Sequence, residues 1–230
     1  MVGTWLNIAT VLAGGSLGLV FGQRVPESVR NTIFHAIGVF TLLLGVRMFM
    51  ESANPLYVLG GLLLGGGVGE WLRIEDRLQG LGRWLEARFS RKEEGGRSHF
   101  VEGFLTASLL FCVGPMTILG SLQDGLTGDY QILATKAVMD GFSALAFAAT
   151  LGVGVLFSTV VILVYQGGLT LFASTLQPWV TEVMMAEMTA AGGVLLAGLA
   201  MSSLLQLRPM KVGNWLPALL FAPLLVQVFG

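Results

Sequence analysis

Tyr130-Gln-Ile-Leu-Ala-Thr-Lys136-Ala-Val-Met-Asp140-Gly-Phe-Ser-Ala-Leu-Ala-Phe147 decides how this chain is read. The run is apolar and close to the length of about 20 residues that crosses a bilayer, yet it holds a lysine and an aspartate four positions apart. Residues at that spacing share one face of a helix. Asp140 lies roughly 10 residues into the run, so about 15 Å deep at a rise of about 1.5 Å per residue. Ionisable groups at such depth are costly and mark functional sites by default. A buried ion pair that locks the helix into a bundle is the bland alternative.

Outward from this stretch, further apolar runs follow one another with short polar gaps. The spans read as 2–22, 32–51, 55–72, 100–120, 130–147, 152–173, 184–206 and 211–229. Residues 130–173 are too long for one span, so the break is placed at the glycines of Thr150-Leu-Gly-Val-Gly154; a re-entrant pair is the other option. Apolar residues make up 54% of the chain and charged residues 12%, where soluble domains run near a quarter charged. The expected fold is therefore all-α: a polytopic integral membrane protein forming a single transmembrane domain, 1–230, with about eight helices (seven to eight). Its partner is the lipid bilayer. A net charge of -1 suggests no nucleic-acid partner. One cysteine, Cys112, excludes a disulfide framework. The opening Met-Val-Gly-Thr-Trp-Leu has no basic flank of a secretory signal and reads as a retained helix.

Lys and Arg orient the path. Arg24 and Arg30 fall in the first gap, Arg73, Arg77, Arg83, Arg88, Arg91, Lys92 and Arg97 in the third, Arg208 and Lys211 in the last; 121–129 and 174–183 hold none. With eight spans all basic gaps share one side, which the positive-inside rule makes cytoplasmic, and both termini face outward. Within the third gap Trp71, Ile74, Leu78, Leu81, Leu85 and Phe89 recur at helical spacing between charges, an interfacial helix. A solvated linker, 91–97, follows. The chain thus divides into a helix triplet (1–72), the amphipathic helix and linker (73–98), a second triplet (99–173) and a C-terminal pair (174–230). A shift of about 100 residues aligns the triplets in opposite orientation, the plan of an inverted repeat. Gly14, Gly18 and Gly22, and Gly61, Gly65 and Gly69, form small-xxx-small ladders that bring helix backbones together within a subunit or in a homodimer.

The candidate substrate- or ion-binding residues are Asp140, Lys136, Gln166, Gly114, Pro115, Asn7 and Thr106. Asp140 alone in hydrocarbon would take up a proton; paired, it is answered by Lys136. Gly114-Pro115 should kink or break span four, and a broken helix lining a cavity offers backbone ligands. Gln166 with Gly167 could play the matching part in span six. Asn7, Thr106 and Asn214 suit interhelical hydrogen bonds. Asp124 and Asp129, in the turn 121–129, satisfy turn chemistry and could guide cations inward. Arg47, Glu70, Glu102 and Glu187 fall near span ends, where snorkelling accounts for them. His35 reads as a structural histidine. With His35, His99 and Cys112 alone, no metal-ligand cluster is evident, and no cofactor is expected.

Several blocks resemble one bacterial family: Cys112-Val-Gly-Pro-Met-Thr-Ile-Leu-Gly-Ser-Leu-Gln-Asp-Gly-Leu-Thr-Gly-Asp129, Lys136-Ala-Val-Met-Asp-Gly141, Thr150-Leu-Gly-Val-Gly-Val-Leu-Phe-Ser158, Tyr165-Gln-Gly167, Val212-Gly-Asn-Trp-Leu-Pro-Ala-Leu219 and the opening Gly3-Thr-Trp-Leu-Asn7. The family is the YqgA/YdfK type, domain of unknown function 554, and the resemblance covers essentially the whole chain. It implies a bacterial inner-membrane protein, often described as a transporter, without a substrate or mechanism. The leading expectation is a transporter or channel for a small solute or ion. A structural or regulatory membrane protein assembled through the glycine faces is the second class. An intramembrane enzyme is the least supported, since Asp140 has no second midplane carboxylate.

Overall fold

A computed structural model describes residues 1–22, 26–89, 100–112, 114–177 and 180–229. Arg24 and the linker 90–99 with Arg91, Lys92, Arg97 and His99 lie outside the described residues, as do the side chains of Arg30, Arg83, Arg88 and Pro115.

The described residues form helices joined by short turns: α1 (Val2–Gly22), α2 (Glu27–Phe49), α3 (Pro55–Leu72), α4 (Ile74–Phe89), α5 (Phe100–Cys112), α6 (Pro115–Leu126), α7 (Gln131–Leu151), α8 (Gly154–Leu171), α9 (Ala173–Leu176), α10 (Glu182–Leu199) and α11 (Ala218–Phe229). A π-helical turn, Ala200–Leu204, extends α10, and a 3-10 turn, Val212–Trp215, precedes α11. Large apolar side chains point outward (Trp5, Leu17, Phe40, Leu63, Phe142, Val164 and Phe172 are all exposed), while α1 buries Gly3, Thr4, Asn7, Gly15 and Gly18. That inversion of the soluble pattern suits helices solvated by lipid, whose interfaces favour small residues. The chain is an all-helical membrane protein. By length and apolarity α1, α7, α8, α10 with its π turn, and the segment Val212–Phe229 can each cross a membrane; α5 and α6 together make a sixth. That is five or six spans among the described residues, fewer than the eight read above; α2 and α3 are the difference.

Three local features refine the expected spans. Span four is broken rather than continuous: α5 and α6 meet at an angle of 60°. Gly114 takes φ 148° there, a backbone state that suits glycine, and Pro115 starts α6 at a position where its missing N–H costs nothing. Residues 130–173 resolve into two helices of 21 and 18 residues, separated at Gly152 with φ 79°. Between α3 and α4, Arg73 adopts a left-handed conformation that ends the first helix and redirects the second.

The chain divides into two compact units, residues 1–34 with 82–179 and residues 35–81 with 180–230. Each draws on both halves of the sequence. In the first, α1 and α7 run parallel, Gly14 against Gly141, Gly18 against Leu145 and Gly22 against Ala149. A Cβ at Gly14 or Gly18 would overlap the carbonyl oxygen of Gly141 or Leu145, so only glycine permits this spacing. α8 runs antiparallel to α1: Thr4 reaches Gln166, while Gly15 meets Leu156. Gly103 of α5 rests on Leu151 and Val155, and Gly125 of α6 on Thr170.

In the second unit α3 and α11 run antiparallel, with Gly61 against Ala222, Gly65 against Ala218 and Gly69 against Asn214. α2 beyond His35 lies antiparallel to α10 and its π turn, Gly45 against Gly193 and Gly38 against Leu205. Val58, Ala190, Ala191, Ala218 and Ala222 form the tight apolar centre of this unit.

Candidate functional site

In the first unit, polar side chains from α1, α7 and α8 meet. The Lys136 ammonium pairs with Asp140 Oδ2 one turn along α7. Asn7 Nδ2, from α1, donates to the same oxygen at 3.0 Å and to Gln166 Oε1 of α8 at 2.9 Å. Gln166 Nε2 then donates to Thr4 Oγ1 at 3.3 Å. Asn7, Thr4 and Gln166 are fully buried, and Lys136 and Asp140 nearly so. The Lys136 ammonium also lies 6.0 Å from the centre of the Phe111 ring of α5, close enough for a cation–π contribution. Four predicted residues, Asp140, Lys136, Gln166 and Asn7, are therefore one connected cluster. Thr4, not among the sequence candidates, lies three positions before Asn7 and so on its face of α1, a spacing that marks it.

The arrangement closes a charge pair with two amides. An ammonium and a carboxylate in hydrocarbon need both mutual attraction and hydrogen bonds to their remaining lone pairs. Asn7 supplies one such bond, and Gln166 holds Asn7 in place. One acceptor in the cluster stays unused: Asn7 Oδ1 is buried without a hydrogen-bond partner, a state costly enough to need an explanation.

The remaining candidates are placed separately. Thr106 is buried in α5, its hydroxyl likewise without a partner. Gly114 and Pro115 form the α5–α6 break, and no heavy atom lies within 4 Å of the place a Gly114 Cβ would occupy. Asp124 belongs to the last turn of α6, not to an open turn, and is buried. Its carboxylate accepts from the Met1 amine at 2.9 Å and from the Gly3 N–H at 3.1 Å. Asp129 is exposed and accepts from the Gln131 N–H at 3.0 Å, ahead of α7.

The second unit holds polar groups at both ends of α3. Glu187, expected to snorkel, is instead fully buried in α10; it accepts from Ser52 Oγ at 2.7 Å and from the Asn54 N–H at 2.8 Å. The same argument from intramembrane charge that marked Asp140 would have found it. At the other end, Asn214 accepts from the Glu75 N–H at 2.7 Å and donates to Glu70 at 2.6 Å, and Glu75 accepts from the Gly213 N–H at 2.6 Å. Lys211 donates to Glu70 at 2.9 Å. That hydrogen bond and the Glu70 charge raise the Lys211 pKa above its ordinary value. These bonds join the α3–α4 corner to the turn before α11.

An open groove of about 680 Å³ along α8, lined by Val160, Val164, Gly168, Leu169 and Phe172 among others, is apolar and lacks a charged anchor.

Comparison with known proteins matches the chain to one family. The model of a protein of unknown function, DUF554, matches residues 2–227. The uncharacterized membrane protein YdfK of Bacillus subtilis is 30% identical over 99% of this chain and 96% of its own length. The uncharacterized protein YqgA of Escherichia coli is 32% identical over 96% of this chain and 94% of its own. No solved structure matches the chain. With near end-to-end agreement in all three, the chain belongs to the DUF554 family of membrane proteins.

Proposed function

We propose that the chain is a transporter or channel for a small solute or ion in the bacterial inner membrane, with its site at the Lys136–Asp140–Asn7–Gln166 cluster. One observation carries this reading: a charged pair inside the bundle is bonded to the Asn7 amide of a second helix, which the Gln166 amide of a third holds in place. Apolar residues would pack there at lower cost, so retained intramembrane charge speaks for a task. Asp140 binds a cation, a proton or an amine; Lys136 answers it or takes an anionic group. Asn7 and Gln166 are amide ligands. Thr106 and the Gly114-Pro115 break are further polar groups of the same unit, and Asp124 and Asp129 lie toward the outer face.

The path behind this proposal has eight spans, with the basic loops cytoplasmic. Helix directions within each unit support it. Spans one and five of an eight-span chain run the same way, as α1 and α7 do, and spans three and eight oppose each other, as α3 and α11 do. The glycine ladders serve packing inside these pairs.

The test is thermal stability of the purified protein against ions, amino acids and organic acids across pH, with Asp140→Asn in parallel. A ligand of the folded state raises stability by mass action. A stabilising compound that loses its effect in Asp140→Asn is the expected result; a compound equally effective in both places the site elsewhere. The second reading, a structural or regulatory protein, draws on the tight α1–α7 seam. It predicts that no compound stabilises either form.

A further inference from the structure

We propose that this site exchanges a small monovalent cation for a proton, with Lys136 acting as a tethered competitor for Asp140; the proposal rests on the transport reading above. Asn7 is fully buried, its Oδ1 has no partner, and its Nδ2 is held between Asp140 and Gln166. A buried acceptor without a partner, on a side chain bonded to a carboxylate, is an oxygen ligand that a cation could take. Both bonds to Asp140 above fall on Oδ2, so Oδ1 is a second oxygen free of those bonds.

Charge sets the valence. The pair is neutral with the ammonium in place. One monovalent cation on Asp140 preserves that neutrality only if Lys136 becomes a neutral amine. A cation joining a still-charged Lys136, whose side chain is 8% exposed, would leave net charge in a low dielectric. The step balances as follows: carboxylate–ammonium pair plus cation gives carboxylate–cation pair, neutral amine and one proton to water. No covalent bond other than N–H breaks, and nothing is oxidised or reduced.

Size follows from the helix seam. α1 and α7 approach too closely at Gly14 and Gly18 for even a methyl group, which suits a bare ion better than an organic solute. The surrounding elements leave Lys136 as the group that exchanges. α5 brings the Cys112 thiol within electrostatic reach of both charges, together with the Phe111 ring. α8 brings the Tyr165 phenol near Cys112. α6 brings Asp124, already bound to the Met1 amine that precedes α1.

The test is calorimetric titration of the purified wild type with lithium, sodium, potassium and rubidium chlorides. Two buffers of different protonation enthalpy give the proton count. The expected result is about one proton released per cation bound, with an apparent Kd that tightens about tenfold per pH unit. Lys136→Gln should bind the same cation with about no proton released, and Asp140→Asn should not bind it. Cation binding without proton release in the wild type overturns the proposal, as does the absence of cation binding. If Lys136→Gln fails to fold, the wild-type count and its pH slope decide alone. A wild type that moves another solute across vesicles without such a count sinks this proposal and leaves the transport reading standing. A wild type that moves nothing sinks both.

Discussion

The two units solve one packing problem in two ways. Each is built around a glycine-lined helix pair, α1 with α7 and α3 with α11, where small residues let backbones touch. In the first, the seam carries Asn7 against Lys136 and Asp140. In the second, the seam is apolar, with Val58, Ala218 and Ala222 at its centre, and the polar groups gather at the ends of α3, Glu187 at one and Glu70, Glu75 and Asn214 at the other. A membrane bundle can thus be closed by small residues alone. The charges in the first unit are an addition to the packing, which is why the proposed function rests there.

The strongest way to break this contrast is to strip one charge from the first unit. Asp140→Ala should cost about 3–5 kcal/mol, since it strands the Lys136 ammonium, while the double change Lys136→Met with Asp140→Leu should recover most of that loss. Unfolding free energies in mixed detergent measure both; a single variant as stable as wild type would mean that the pair is not buried as described. In the second unit Glu187→Leu removes the acceptor of the Ser52 hydroxyl and the Asn54 N–H, a loss of about 1–3 kcal/mol. Glu187→Gln should cost less.

Glycine substitutions sharpen the packing half of the comparison. Gly18→Ala and Gly65→Ala put a methyl group into the neighbouring backbone, and overpacking of this kind costs about 1–3 kcal/mol. Gly67→Ala, with nothing within 4 Å of the new methyl, should be neutral. Equal losses at Gly65 and Gly67 would refute the antiparallel α3–α11 contact. The smallest effect belongs to the exposed Lys211–Glu70 pair. Because Glu70 raises the Lys211 pKa above its ordinary 10.5, its contribution is complete below 10.5 and fades as pH climbs through the raised value. Melting temperatures of wild type and Lys211→Gln should therefore differ slightly at pH 8 and converge at strongly alkaline pH.

Much of this architecture is legible locally. Apolar run lengths locate the helices, Gly114-Pro115 announces the break in span four, and the four-residue spacing of Lys136 and Asp140 puts them on one face. What the sequence withholds is pairing over distance. Nothing local says that Asn7 meets a glutamine 159 positions away, because small residues at one spacing fit several partner helices. The Asp-Gly neighbours of Asp124 point to turn chemistry, yet α6 runs through it and the start of α1 covers it. Glu187, near a span end, reads as a snorkelling side chain, yet it is fully buried and accepts from Ser52 and Asn54.

The most direct test of the transport claim is solute and ion flux into vesicles holding the wild type or the Lys136→Met, Asp140→Leu double variant, each first shown to be folded. A conducting wild type and a folded but silent double variant is the predicted result. A double variant that transports as the wild type does would make the charges structural and contradict the account.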